Sequence, residues 1–118
     1  MNERSNPIKE KSFAFALRII KLYSYLNEKK EFVISKQILR SGTSIGANVR
    51  EAQNAESKKD FMHKLAIAQK ECDESIYWLE LLKETNYLNQ EEFNGLNEDA
   101  TSILKMIRSA IMTTKKNI

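Results

Sequence analysis

The chain has 118 residues, three of them glycine and one proline, with 42% hydrophobic and 30% charged residues and a formal charge of +3. That length holds one ordinary domain, here residues 1–118. So few turn-forming residues exclude a many-stranded sandwich or barrel and favour long helices. Cys72 is the only cysteine and His63 the only histidine, so an intrachain disulfide and a self-contained Cys/His zinc site are both ruled out. A single thiol without a disulfide framework suits the cytoplasm. The longest charge-free run, Ser41 to Val49, is nine residues, well short of the ~20 that span a bilayer, so no membrane partner is expected. Met1-Asn2-Glu3-Arg4 lacks the apolar stretch of a signal peptide.

Hydrophobic spacing predicts four helices, at about 8–28, 36–55, 58–84 and 90–115. Asn6 caps the first and Pro7 suits its first turn. It carries two apolar stripes, Phe13-Ala16-Ile20-Tyr23 and Phe15-Ile19-Leu22-Leu26, as expected of a helix between two neighbours. A connector at Glu31–Ile34 leads to Ser35, the expected cap of the second helix. There Ile38, Gly42, Ile45, Val49 and Ala52 follow a seven-residue repeat. Ser57 opens the third helix, lined by Phe61, Leu65, Ala68, Cys72, Ser75, Leu79 and Leu82. Asn89 with Glu92 forms a capping-box signal for the fourth, lined by Phe93, Leu96, Ala100, Ile103, Ile107 and Ala110. Long helices with short connections pack antiparallel, so the expected fold is all-α, an up-down-up-down four-helix bundle.

The small-residue run Arg40–Asn48 could pass for a phosphate loop, but no Lys follows Gly46 and the repeat resumes at Val49. It therefore reads as helix. Gly42 and Gly46 each cost about 1 kcal/mol against Ala, a cost offset where another helix approaches closely. An antiparallel hairpin of helices 2 and 3 sets Arg40 opposite Glu74, Ser44 opposite Glu71 and Asn48 near Leu65–Ile67. These residues read as packing and register elements, with an Arg–carboxylate pair at the seam. Glu71 and Glu74 share a face, but no Glu-x-x-His pairs accompany them, because Asp60 stands three residues before His63. Cys72 and His63 lie nine residues apart on one helix, about 13 Å along its axis, so they form no catalytic pair. No cofactor, metal or catalytic constellation emerges. Tyr77 and Trp78 are neighbours that cannot both face one core, so one is a candidate subunit contact.

Charge is segregated along the chain. Residues 1–70 carry a net +7, residues 71–100 a net −8 and residues 101–118 a net +4. An up-down-up-down bundle gathers Arg4, Lys9, Lys11, Arg50, Lys58, Lys59, Lys64, Lys115 and Lys116 at one end. Glu80, Glu84, Glu91 and Glu92 fall at the other, blunted by Lys29 and Lys30. Arg50, Lys58, Lys59, Lys64, Lys115 and Lys116 are candidate contacts to RNA or DNA phosphates. A protein partner is the alternative.

The run Gln37–Ala52, with Asp60–Glu71 and its continuation Glu74–Leu82, resembles the signature of a bacterial family encoded by intervening sequences in 23S ribosomal RNA genes. The resemblance implies, as relatives of that family, the accessory variability proteins of diversity-generating retroelements. The resemblance implies a four-helix bundle, a non-enzymatic role and ring-like homopentamers. In the retroelement relatives it further implies nucleic-acid binding through a basic surface and association with a reverse transcriptase.

Overall fold

The first helix begins where Asn6 accepts a hydrogen bond from the Lys9 N–H and Pro7 occupies the first turn. The computed structural model describes residues 6–117, so Arg4 lies outside the described residues. In it α1 spans Pro7–Glu28, α2 Ile34–Gln53, α3 Lys58–Glu84 and α4 Gln90–Lys116. Two connections turn through non-glycine residues in the left-handed region, Lys30 at φ 62° and Asn86 at φ 68°. At each, paired backbone bonds close the helix end: Lys30 and Glu31 donate to Asn27 and Leu26, and Asn86 and Tyr87 donate to Lys83 and Leu82.

The start of α2 differs from the sequence expectation. Ser35 does not cap it; Ser35 is buried inside the first turn, and Val33 at the cap position makes no side-chain bond. Glu31 performs the capping instead. Its carboxylate accepts from the N–H groups of Val33 (3.3 Å), Ile34 (3.1 Å) and Ser35 (2.6 Å). A negative group over several unpaired N–H donors also complements the helix dipole. Glu31→Ala is expected to cost about 1–2 kcal/mol in urea unfolding, the size of a lost N-cap. At α3, Ser57 accepts from Asp60. At α4, Asn89 and Glu92 form the reciprocal capping box.

The four helices form an antiparallel four-helix bundle. α1 packs on α2 and α4, α3 packs on α2 and α4, and the diagonal pairs make no close backbone contact. The core takes one stripe per helix: Phe15, Ile19, Leu22 and Leu26; Ile38, Ile45, Val49 and Ala52; Leu65, Ala68, Cys72, Leu79 and Leu82; Leu96, Ala100, Ile103 and Ile107. The Arg40–Asn48 run is helical throughout. Its close approach is to α1. A Cβ on Gly42 would lie 2.8 Å from Ile19, and one on Gly46 would meet the Ser12 backbone at 3.4 Å.

The second stripe of α1 corrects a sequence expectation. It does not pack on a neighbour along its length. Phe13 is 50% exposed and Ile20 46%, and Leu17 between them is 48% exposed. α4 meets a different part of α1, where Arg18 pairs with Asp99 and Lys11 reaches Ser102.

Candidate functional site

The α2–α3 seam brings together a polar cluster. One Arg40 nitrogen bonds Glu71 at 3.0 and 3.4 Å, and the other pairs with Glu74. The same Glu74 oxygen accepts from the Trp78 indole at 2.9 Å. Beneath them the buried Ser41 and Ser75 hydroxyls share a 2.9 Å hydrogen bond, and Ser75 also donates to the Glu71 carbonyl. Arg40 is about half exposed, so solvent screens these pairs and they set register more than stability. Ser44 does not join the carboxylates. Its hydroxyl donates back to the Arg40 carbonyl, and Asn48 donates to the Ser44 carbonyl. No metal-holding group of three or more His, Cys, Asp or Glu side chains exists among the described residues. His63 is exposed, whereas Cys72 is buried with its thiol on the Ala100 carbonyl at 3.1 Å.

The basic end is less open than its charge suggests. Lys64 pairs with Glu51 at 3.0 Å, and that hydrogen bond and charge hold its amine above the ordinary lysine value. The Arg50 guanidinium lies 5.3 Å over the Phe13 ring. Lys58 donates to the Asn117 carbonyl at 2.6 Å, tying α3 to the end of α4. Lys59, Lys115 and Lys116 are exposed and form no ion pair among the described residues. A depression of about 360 Å³ there is lined by Arg50, Glu51, Asn54, Glu56, Asp60 and Lys64, three of them acidic.

A second surface was only half visible in the sequence. Phe13, Ala16 and Ile20 of α1 face Thr43, Gly46 and Ala47 of α2 across an open groove of about 340 Å³, edged by Lys9 and Arg50. The small residues of α2 therefore serve two purposes. Gly42 admits Ile19 to the core, and the Thr43-Gly46-Ala47 side keeps the groove open. On the diagonally opposite corner, Tyr77 is 54% exposed, with its ring 5.1 Å from the half-buried Trp78. The signal that could have found the α1 surface is the excess of apolar positions over the one stripe a bundle core accepts.

The 23S rRNA-intervening sequence protein family model matches residues 4–109. The chain belongs to that family. Among solved structures it is similar to a protein of unknown function from the S23 ribosomal protein family of Bacteroides thetaiotaomicron. The two share 57% identity over 88% of this chain and 97% of that one, with a TM-score of 0.87. No curated protein matches the chain. No helix among the described residues is long and apolar enough to cross a membrane.

Proposed function

We propose that this family member is a non-catalytic, self-associating bundle that presents its basic end to RNA or DNA phosphates. The observation that carries the reading is the half-exposed Phe13-Leu17-Ile20 stripe on α1, an apolar surface that a lone protomer leaves in water. The family resemblance, which implies retroelement accessory proteins as relatives, is in keeping with this reading. Self-association also answers the weakness of the basic end. Lys59, Lys115 and Lys116 alone offer few phosphate contacts, and several copies on one strand multiply them through effective concentration.

Sedimentation velocity is expected to show a species well above 13.7 kDa, and Phe13→Glu with Ile20→Glu to return it to monomer. Filter binding is expected to weaken steeply as salt rises. Changing Lys59, Lys115 and Lys116 to Glu should flatten that dependence by about one unit of slope per lost contact. Lys58 is spared because it braces Asn117. A monomeric wild type sinks the self-association reading. Absence of binding at low salt by an intact assembly selects a protein-binding scaffold, the second reading, which the carboxylates of Glu51, Glu56 and Asp60 among the basic residues favour.

A further inference from the structure

α1 and α4 are the one adjacent pair of helices that no connection joins. What bridges them is polar: Lys11 reaches Ser102 at 3.2 Å and Arg18 pairs with Asp99. Past these bridges the two helix ends are held by different neighbours. Asn6 donates to Gln53 of α2 at 3.0 Å, whereas Asn117 at the end of α4 accepts from Lys58 of α3. Between them lies an open groove of about 490 Å³, lined by Pro7 and Ile8 of α1 and by Lys105, Met106, Ser109 and Ala110 of α4.

We infer that this groove takes an acidic amphipathic helix from a protein partner. It lies on a different seam from the Phe13-Leu17-Ile20 stripe and depends on neither the self-association nor the phosphate contacts proposed above. The floor is apolar. Ile8, Met106 and Ala110 are half-buried, and Met112, seven residues after Lys105 and so on the same stripe of α4, is 58% exposed. The flexible thioether of methionine adapts to the apolar face it meets. The shape is the trough between two antiparallel helices, open on its outer side, which a third helix fills by packing its ridges into the groove. The edges are cationic. Lys11 donates to a neutral hydroxyl, Lys105 enters no ion pair among the described residues, and α4 carries no carboxylate after Asp99. Apart from Asp99, which Arg18 holds, the nearest carboxylates along the two helices are Glu10, next to Lys11, and Glu98, seven residues before Lys105. Lys9, Arg108, Lys115 and Lys116 stand on the same halves of α1 and α4, so cations outnumber them. A nucleic-acid strand would meet these cations but not the apolar floor.

Fluorescence anisotropy with two labelled peptides of about 14 residues, roughly four helical turns, tests the assignment. Both carry a leucine face at helical spacing; one is flanked by Glu and the other by Lys. The Glu peptide is expected to bind saturably, and the Lys peptide about tenfold more weakly or worse. Lys105→Glu with Ser109→Glu, both at exposed positions, is expected to reverse that preference while leaving the thermal unfolding of the bundle unchanged. Phe13→Glu with Ile20→Glu should bind the Glu peptide as wild type does, which separates this groove from self-association. Equal binding of the two peptides, or unchanged binding by the Lys105 and Ser109 variant, overturns the site. So does a change in that variant's sedimentation, which would assign the groove to contact between copies. Displacement of the Glu peptide by an oligouridine strand would assign it to phosphates and overturns the inference as well.

Discussion

Cys72 in the native protein is expected to react with iodoacetamide about a thousandfold more slowly than in the urea-unfolded chain, at a pH near 8. The reactive species is the thiolate. Burial between α3 and α4 pushes the Cys72 thiol from its ordinary 9.0 up to about 12; the Asp73 charge adds to the rise and Arg108 opposes it. Each unit of that rise removes about nine-tenths of the remaining thiolate, and exclusion of the reagent adds to the effect. The same shift sets a pH dependence of stability. Below pH 9 the thiol is protonated in both states. Above it the unfolded chain releases the proton and the native one retains it. Stability is therefore lost as pH climbs from 9 toward about 12, by on the order of 1.4 kcal/mol per pH unit for this group. Comparing denaturant midpoints of wild type and Cys72→Ala across that range isolates the contribution from tyrosines and lysines. Equal labelling rates in native and unfolded protein would falsify this placement of the thiol.

Gly42→Val is expected to destabilise the bundle by about 3 kcal/mol. A Cβ at Gly42 would stand 2.8 and 2.9 Å from the two γ carbons of Ile19 and 3.2 Å from its Cβ. Ile19 is fully buried and β-branched, so it has no free rotamer into which to retreat. Overpacking a full core costs about 1–3 kcal/mol, and a branched side chain on a seam this close lies at the upper limit. Gly46→Ala is the internal control. Its Cβ would make an ordinary 3.4 Å contact with the Ser12 carbonyl, and replacing a mid-helix glycine gains up to about 1 kcal/mol of helix propensity. Urea unfolding should therefore move in opposite directions for the two glycines. Equal effects would mean that α1 and α2 are not held at this distance.

The two glycines show where sequence reading was strong and where it stopped. The seven-residue repeat through Ile38, Gly42, Ile45, Val49 and Ala52 is a local property, because side chains three and four apart share a helix face whatever the rest of the chain does. It was enough to keep Arg40–Asn48 helical. Pairing of Arg40 with the carboxylates of α3 was legible for a related reason: a short connection forces an antiparallel hairpin, and register then follows from arithmetic. The Ser35 cap failed because Ser, Thr and Asp next to a helix start are statistical signals. A flexible Glu four residues earlier competes for the same N–H groups, and its reach depends on a turn through Lys30 that composition does not announce.

Local periodicity and charge order thus settled the four helices, their antiparallel sense and the existence of a basic end. They could not settle how far each of two adjacent apolar stripes on α1 is covered, since both recur at helical spacing and both carry large apolar side chains. That is decided by the neighbours. α2 approaches through Gly42 and takes Ile19, α4 holds α1 through Asp99 and Ser102, and Phe13, Leu17 and Ile20 are left outside. Nor could a list of lysines show which are already engaged. Glu51, the Phe13 ring and the end of α4 occupy Lys64, Arg50 and Lys58 because folding brings distant segments within a few ångströms. Long-range proximity is what a linear pattern lacks, and here it moves the reading from a basic end alone to an uncovered α1 face beside it.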